Sequence, residues 1–237
     1  MYIDKNPRLF ILKYIYKLFA SIYNSVIHFL FPNKTYLNKY NFIFIDDLEK
    51  NFQALKDEFL IIYNSKKLPY IDDIFPETTY QLNLNKNWRS FFLKSYFYTH
   101  DKNLELLPKT KELLSSKNVY TAFYSMMEPN SKIAPHVGHN KGLIRILLPL
   151  KVPKIKEKCF IVVNGEKRIF EECNSLVFDD YYEHYVVNNT NEDRIVLFID
   201  YIRPLPFPFN HINYLALLII SKSAFIKKMR VKSDQLS

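Results

Sequence analysis

Short apolar runs separated by turn residues fill the second half of the chain, and this pattern constrains the fold more than any other feature. About seven such runs follow one another between residues 119 and 202: VYTAFYSMM, LIRILLPLKV, CFIVV, RIFEE, SLVFD, HYVV and RIVLFIDYI. Runs of this kind are typical of strands in a barrel or sandwich. Asn164-Gly165 separates two of them and predicts a tight hairpin, because both residues tolerate positive φ. The pattern therefore predicts a mainly β domain.

The composition agrees with one globular domain that carries extra segments at its ends. The chain has 237 residues, 48% of them hydrophobic, which is enough for a substantial core. A net charge of +9 favours anionic partners such as a phosphate-bearing surface or acidic small molecules. No nucleic-acid-binding motif accompanies this charge, so we expect no nucleic acid partner. The sequence leaves open whether Cys159 and Cys173 interact, and so few cysteines suit a reducing compartment such as the cytoplasm.

Two histidines and two arginines carry most of the readable chemistry. His136 and His184 each lie in a strand-like setting, and each is followed about ten positions later by an arginine, Arg145 and Arg194 respectively. Two neutral imidazoles that converge from different strands suit a transition metal such as Fe(II). Two guanidinium groups nearby suit a dicarboxylate, because their fork geometry matches the two oxygens of a carboxylate.

Four short segments that include these residues resemble the aspartyl/asparaginyl β-hydroxylase family of iron- and 2-oxoglutarate-dependent oxygenases. In chain order they are P-H-x-G from Pro135, R-x-x-L from Arg145, F-D-D-x-x-x-H from Phe178, and R-x-x-L-x-x-D from Arg194. The resemblance extends over residues 88–204. It implies a double-stranded β-helix of the jelly-roll, cupin-like type, an enzyme that hydroxylates an unactivated C–H bond, bound Fe(II), and 2-oxoglutarate and O2 as co-substrates.

The resemblance also implies roles for individual residues. His136 and His184 would be the iron ligands and, with Arg194, the catalytic residues. Arg194 would bind the distal carboxylate of 2-oxoglutarate together with the Ser125 hydroxyl, and Arg145 would also face the co-substrate. Trp88 would line the co-substrate site, although a core position for this tryptophan is equally compatible with the sequence.

The iron site departs from the common pattern of two histidines and a carboxylate. The carboxylate usually follows the first histidine as His-x-Asp, but position 138 is a glycine. Family members also carry glycine there, so the resemblance implies a two-histidine site completed by water and co-substrate. Asp179 and Asp180 are the nearest carboxylates, and we expect them to form a turn or to orient His184.

Three further departures leave co-substrate handling open. Leu147 stands where many family members have a histidine, Asn130 where a Pro-Gly turn is usual, and Val187 where a tryptophan is usual. In a strand, Arg145 and Leu147 share one face.

Residues 1–45 form a predicted amphipathic N-terminal segment. Apolar residues recur at helical spacing in residues 8–31 and face a polar stripe. The apolar stripe comprises Leu12, Ile15, Phe19, Ile22, Val26 and Phe29, and the polar stripe comprises Lys13, Lys17, Ser21, Asn24 and His28. The uncharged run of residues 18–31 is short for a bilayer span, and a helix lying on a membrane fits the pattern. A helix docked on its own domain fits it equally well.

Residues 46–206 are predicted to form the β-hydroxylase-like catalytic domain. It would begin with an amphipathic helix over 46–64 with Asp46 as its N-cap. Residues 207–237 form a C-terminal segment in which the apolar run INYLALLII precedes a basic cluster. This order resembles an interfacial anchor beside anionic lipid head groups, and a terminal helix with a solvated basic tail is the alternative.

Three functions remain open at this level. The first is hydroxylation of a peptide or amino-acid side chain of the aspartyl/asparaginyl type. The second is hydroxylation of a lipid acyl chain at a membrane surface, as in relatives that act on lipid A, by a protein attached peripherally to the cytoplasmic face. The third is a non-catalytic, cupin-like binding module, which the intact set of two histidines and two arginines disfavours.

Overall fold

Two antiparallel β-sheets face each other in the computed structural model, which describes residues 7–31, 34–65, 68–79, 82–83 and 86–236. The strands are β1 Trp88–Ser95, β2 Tyr98–Thr99, β3 Val119–Met127, β4 Ser131–His136, β5 Leu143–Lys151, β6 Cys159–Val163, β7 Glu166–Ile169, β8 Leu176–Phe178, β9 His184–Asn188 and β10 Arg194–Ile202. The larger sheet has the order β2-β1-β3-β10-β5-β8 and the smaller the order β4-β9-β6-β7. This architecture confirms the predicted double-stranded β-helix.

The hairpin and six of the seven predicted strands are found where the sequence placed them, whereas RIFEE shares only Arg168 and Ile169 with β7. The runs that became β3, β6 and β10 match the observed strands residue for residue. Val163 pairs with Glu166 across the β6–β7 hairpin, and the two residues between them have φ values of 49° and 80°. Both values lie in the left-handed region that Asn and Gly tolerate, so Asn164-Gly165 makes the turn that its sequence predicts.

The larger sheet buries both of its faces. Along β5, Ile144, Ile146 and Leu148 belong to a hydrophobic cluster that covers the outer face of the sheet together with helices. Leu147, on the opposite side, belongs to the cluster between the two sheets. The alternation predicted for β5 is therefore confirmed, and it directs Arg145 and Leu147 towards the space between the sheets.

Helices that precede, interrupt and follow the series of strands surround this core. They are α1 Pro7–Leu30, α2 Ile43–Lys50, α3 Phe52–Ser65, α4 Ile71–Ile74, α5 Pro76–Thr79, α6 Asp101–Leu104, α7 Pro108–Leu114, α8 Phe209–Ser221 and α9 Ala224–Leu236. The single helix predicted over 46–64 was wrong, since α2 and α3 are separated at Asn51. The side chain of Asn51 donates to the Asp47 carbonyl oxygen at 2.8 Å and caps the end of α2. Asp46 lies within the first turn of α2, whose N-cap is Phe42.

The face of α1 that contacts the domain is not its apolar stripe. Tyr23, Asn24 and Ile27 are buried, whereas Ile22 is 56% exposed and Phe29 is 82% exposed. A polar residue is thus turned inwards and several apolar residues outwards. A helix docked through its apolar stripe alone would show the opposite pattern.

The C-terminal helices also contact the domain, partly through basic residues. Arg230 donates to the carbonyl oxygens of Ser95 and Tyr96, and Lys232 donates to that of Asp73. These two residues are therefore not part of a solvated tail. Within the described residues, no helix alone has the length and hydropathy of a membrane span, and only α8 and α9 taken together reach them, with a bend of 63° between the two.

Candidate active site

His136 and His184 meet between the two sheets. They end β4 and begin β9, and they are direct neighbours across that antiparallel pair. Their ring centroids lie 4.1 Å apart, and the ring of Phe178 packs edge-on against His184 at 5.4 Å. The structure therefore brings together the two residues that the sequence predicts as iron ligands.

Backbone carbonyl groups fix the orientation of both imidazoles. His136 Nδ1 lies 2.8 Å from the Ala134 oxygen, and His184 Nδ1 lies 2.9 Å from the Tyr182 oxygen. A carbonyl oxygen only accepts, so each Nδ1 carries the proton and each Nε2 keeps its lone pair. Burial lowers the pKa of His136 to about 4 and that of His184 to about 2, so both rings are neutral near pH 7. His184 Nε2 is buried and has no hydrogen-bond partner within the described residues.

These two nitrogens fit a metal of the Fe(II) type. Neutral imidazole is a good ligand for iron, and a hydrogen bond from the second ring nitrogen is the usual way in which a protein orients it. Among the described residues, no group of three or more His, Cys, Asp or Glu side chains is arranged to hold a metal ion. A metal bound here would therefore be held by His136 and His184 as the protein ligands from the described residues.

Arg194 is buried, and no carboxylate of the described residues forms an ion pair with it. It is 2% exposed, and its Nε–H has no hydrogen-bond partner among the described residues. Its guanidinium lies over the ring of Phe170, 5.1 Å from the centroid. Burial lowers the pKa of Arg194 to about 10, which leaves the side chain charged at neutral pH. A buried cation without a partner is costly, so this position is suited to receive an anion.

Trp88 and Ser125 are joined beside Arg194. Trp88 Nε1 donates to Ser125 Oγ at 3.0 Å, and both side chains are buried. Because Ser125 Oγ accepts this bond, its own proton is available for a second acceptor. An anion between Ser125 and Arg194 would be bound by a hydroxyl and a guanidinium together.

The guanidinium of Arg145 is already paired. Its Nε donates to Asp200 at 2.9 Å and one of its terminal nitrogens donates to Asp180 at 2.6 Å. The two arginines predicted to act together therefore differ in their surroundings. Arg145 lines the site with its charge offset by two carboxylates, and Arg194 keeps an unmatched charge. A direct contact between Arg145 and the co-substrate stays a prediction.

Asp180 occupies the space that a side chain at position 138 would need. A Cβ atom built on Gly138 would overlap with the carboxylate of Asp180, and the Gly138 amide donates to the Asp180 carbonyl oxygen at 2.7 Å. Burial raises the pKa of Asp180 to about 6, and its Oδ1 has no partner within the described residues. The glycine that replaces the usual carboxylate therefore makes room for a carboxylate from another strand connection.

Of the two roles expected for Asp179 and Asp180, the turn is found and the orientation of His184 is not. The Tyr182 amide donates to the Asp179 carbonyl oxygen at 3.3 Å, and the Tyr181 amide donates to the Asp179 carboxylate at 3.1 Å. The Tyr182 carbonyl oxygen orients that ring, while Asp180 binds Arg145. Asp179 is completely buried and forms ion pairs with Lys141 and Arg203. The physical reason is charge: a buried carboxylate is stabilised far more by a buried cation than by a neutral imidazole.

Sequence reasoning missed two asparagines that hold the loop after His136. Asn24 of α1 donates to the His139 carbonyl oxygen at 3.0 Å and accepts from the Lys141 amide at 2.9 Å. Asn213 of α8 donates to the Gly142 carbonyl oxygen at 2.8 Å. In the sequence, each of them is a polar residue within an otherwise apolar helical stretch. Asn24 was interpreted as part of the polar stripe of residues 8–31.

Two cavities meet at His136 and Arg145. The inner cavity lies between the sheets and has a volume of about 30 Å³. Its polar lining consists of Trp88, Ser125, His136, Arg145, His184 and Arg194, and its apolar lining of Ile133, Leu147, Ile161, Phe178, Val186, Val196 and Phe198. A dicarboxylate needs more room than this, so its binding requires side chains to move apart. The outer cavity, of about 500 Å³, extends from His136 and Arg145 towards α1, α8 and α9.

The three family departures have different surroundings. Leu147 lines the inner cavity as an apolar group. Val187 is not among the lining residues, because it takes the opposite side of β9 from Val186. Asn130 has a φ of 53°, a left-handed conformation that Asn tolerates where a Pro-Gly turn is usual. Cys159 and Cys173 are both free thiols.

Comparison with known proteins supports the resemblance read from the four segments. Residues 49–204 match the family model described as aspartyl/asparaginyl beta-hydroxylase. An ornithine lipid ester-linked acyl 2-hydroxylase from Rhizobium tropici is 29% identical over 184 residues, which is 77% of this chain and 65% of that protein. The aspartyl/asparaginyl beta-hydroxylase of Mus musculus is 28% identical over 166 residues, which is 68% of this chain and 22% of that protein.

A solved structure is similar in outline only. The Pseudomonas putida prolyl-4-hydroxylase aligns with 68% of this chain and 97% of its own, at 11% identity and a TM-score of 0.42. The chain spans 65% of the length of the Rhizobium relative and about a fifth of the mouse relative. The family match, in contrast, covers well over half of this chain and includes all six predicted site residues. The chain therefore belongs to the aspartyl/asparaginyl β-hydroxylase family.

Proposed function

We propose that this protein is an Fe(II)- and 2-oxoglutarate-dependent dioxygenase that hydroxylates an unactivated C–H bond. The observation that carries the proposal is the pair of neutral histidines, His136 and His184, beside the buried and unmatched charge of Arg194. A metal ligand set and an anion site within one small cavity are what a keto-acid-dependent iron enzyme requires.

Each residue would have a distinct role in such a site. His136 and His184 would hold the iron through Nε2, with the Ala134 and Tyr182 carbonyl groups keeping both rings in place. Arg194 and Ser125 would hold the distal carboxylate of 2-oxoglutarate, and Trp88 orients Ser125. The bound iron, with 2-oxoglutarate and O2, would supply the oxidising chemistry that turns a C–H bond into an alcohol and yields succinate and CO2. The apolar walls of the inner cavity would exclude bulk water from that reaction.

Two substrate classes follow from the relatives. The names of the mammalian relatives point to aspartyl or asparaginyl side chains, and that of the Rhizobium relative to the acyl chain of a lipid. An acyl chain is favoured here, because the outer cavity that leads to His136 is apolar over most of its wall. A peptide or amino-acid side chain is the second candidate, and the family match alone favours it.

We further propose that the protein works while attached peripherally to an anionic membrane surface on its cytoplasmic side. The exposed apolar residues of α1 support this, since isolated apolar side chains are common on protein surfaces but a stripe of them is not. Lys222, between α8 and α9, and Lys227, in the first turn of α9, are exposed and would lie near lipid phosphates.

The test of the reaction is the turnover of 2-oxoglutarate by the purified full chain. With Fe(II), O2 and ascorbate present, we expect succinate to form, and its formation to stop when the iron is chelated. Binding of 2-oxoglutarate to the protein loaded with Mn(II), a metal that does not support turnover, should be measurable by calorimetry. Absence of both metal-dependent binding and succinate formation would overturn the proposal.

A further inference from the structure

The outer cavity has the position of a substrate site. It begins at His136 and Arg145, which also line the inner cavity, and it ends among helices from both ends of the chain. Ala20 and Tyr23 of α1 form one wall, and Ala216 and Ile220 of α8 form another. Its volume of about 500 Å³ falls within the range of about 300–1,000 Å³ that is usual for small-molecule sites.

We propose that this cavity binds a single acyl chain of a lipid, with the chain running between α1 and α8 towards His136. That the chain is the substrate rests on the hydroxylase function proposed above, whereas the binding of the chain does not. The proposal rests on the apolar lining of the cavity, on the Tyr23 hydroxyl and on the apolar opening.

Most amide and charged side chains of the lining already bind other protein groups. Both polar atoms of the Asn24 side chain bind backbone groups of the loop after His136, and Asn140 accepts from the Gly142 amide at 2.7 Å. Asp180 and Asp200 bind Arg145. What the cavity offers a ligand is therefore mainly carbon surface, from Leu143, Leu217, Ile220 and Phe225 among others. A peptide backbone would lose its hydrogen bonds to water in such a space, and a hydrocarbon chain loses none.

The Tyr23 hydroxyl offers the ligand a hydrogen-bond donor; together with Asp180 Oδ1, it is one of two buried side-chain atoms of the lining that have no partner among the described residues. Tyr23 lines the cavity and is 9% exposed, and its hydroxyl has no hydrogen-bond partner among the described residues. Burial raises the pKa of Tyr23 well above its usual value, so the hydroxyl keeps its proton and can donate. The carbonyl oxygen of an ester or amide that carries the chain is a suitable acceptor. A carbonyl held there would fix how far the chain reaches towards His136.

The opening of the cavity is edged by apolar side chains. Ile219 is 58% exposed and Phe225 is 40% exposed, and both also line the cavity. Among the other segments that line the cavity, α1 carries exposed apolar side chains, and the exposed Lys222 follows α8 directly. A chain that leaves a bilayer could thus enter without crossing water, with its head group near basic residues.

Calorimetric titration of the metal-free full chain with neutral glycerol monoesters tests this proposal. We would use monooctanoin, monodecanoin and monolaurin below their aggregation limits. Because these esters carry no charge, electrostatic attraction to a basic protein cannot explain their binding. Each methylene moved out of water should tighten binding by about fourfold until the cavity is full. An affinity that does not depend on chain length would overturn the proposal.

Two neighbouring positions on α8 provide a matched pair of variants. Ala216 lines the outer cavity, and Leu215 is exposed and lines a separate surface groove with Phe42 and Tyr201. We expect Ala216→Trp to weaken monolaurin binding by at least about tenfold, since the indole would fill space that the chain needs. Leu215→Trp should leave it unchanged. Equal effects of both variants, or loss of binding in Leu215→Trp alone, would place the chain in the surface groove and overturn the proposal.

A second pair on α1 covers the case in which Ala216→Trp does not fold. Ala20 lines the outer cavity and Ser21 is exposed, so Ala20→Trp should weaken binding and Ser21→Trp should not. Tyr23→Phe should weaken binding of the ester by about two- to tenfold, the effect of one hydrogen bond. Binding that survives in a protein with no 2-oxoglutarate turnover would refute only the hydroxylase, and turnover without chain-length-dependent binding would refute only the acyl site.

Discussion

The inner and outer cavities meet at His136 but are built from different parts of the chain. The inner cavity is lined by strands that lie within residues 49–204, the part that matches the family model. Just under half of the residues that line the outer cavity come from α1, α8 and α9, which lie outside that part, and about half lie within it. The proposed iron site therefore lies wholly within the family-matched part, whereas the proposed acyl-chain site would combine residues of that part with residues from α1, α8 and α9.

The two cavities also differ in how their side chains are held. In the inner cavity, strand pairing fixes each residue, and an unmatched charge is kept for a ligand. In the outer cavity, helices pack through apolar contacts and a few hydrogen bonds to the loop of residues 137–142. Substitutions in the first should change chemistry and co-substrate affinity, and those in the second should change lipid binding.

The largest expected effect is the loss of succinate formation, and it distinguishes the role of the inner cavity from that of the outer one. His136→Ala or His184→Ala should abolish Fe(II)-dependent succinate formation, because a site with two protein ligands has none to spare. Monolaurin binding should persist in both variants, and circular dichroism should show an unchanged fold. Succinate production near the wild-type rate in either variant would remove that histidine from the iron site.

Arg194 should set the affinity for 2-oxoglutarate. Loss of one partner from a buried charge pair costs roughly 2–5 kcal/mol, so Arg194→Ala should raise the Kd by at least about tenfold. Arg194→Lys should restore only part of the affinity, because an ammonium group lacks the fork geometry of a guanidinium. Arg168→Ala is the control for a simple loss of positive charge, since that side chain is 55% exposed. An unchanged Kd in Arg194→Ala, measured by calorimetry, would exclude this residue from the anion site.

Gly142→Ala should act on the outer cavity and spare the inner one. A Cβ at this position would overlap with the Asn213 side chain, which is fully buried and holds α8 to the loop. Overpacking of this kind costs about 1–3 kcal/mol of the free energy of unfolding. We expect weaker monolaurin binding with an unchanged Kd for 2-oxoglutarate. Gly165→Ala in the remote β6–β7 hairpin, where φ is 80°, should lower stability without changing either affinity.

The smallest effect concerns the membrane. Binding to liposomes with acidic lipid should weaken severalfold as salt is raised, because each basic residue near the surface contributes about 1 kcal/mol that salt screens. Phe29→Ser should reduce binding, and Ile43→Ser should not, although Ile43 is 80% exposed on a different helix. Co-sedimentation that ignores both salt and lipid charge would point to insertion into the bilayer.

The sequence predicted the inner cavity well because its residues are tied to strands. Alternation along β5 placed Arg145 and Leu147 on one face, and the four short segments identified the residues that line the cavity. The different environments of Arg145 and Arg194 could not be predicted, since they depend on carboxylates from other strands and connections. The position of the Asp180 carboxylate beside Gly138 could not be predicted either, since it also depends on tertiary packing.

The outer cavity could not be predicted in the same way. Periodicity identified α1 and the apolar run of α8 as helical, but it placed Asn24 on the polar stripe and Phe29 on the apolar stripe, whereas Asn24 is buried and Phe29 is exposed. Amphipathic patterns assume that water surrounds the helix, and that assumption fails beside a lipid or a substrate channel. Our division of the chain at residues 45 and 206 stays a prediction.

The hydrogen bonds from Asn24 and Asn213 have a consequence for the order of events during synthesis. Asn24 binds the loop 115 residues further along the chain, and Asn213 binds it from 71 residues beyond. During synthesis, Asn24 of α1 therefore has no loop to bind until β4 and β5 have been made. The outer cavity can be completed only after α8 has been made as well. Contacts between such distant residues form late and slowly. Lipid-binding capacity should therefore appear last, after the strands around His136 and His184 have paired.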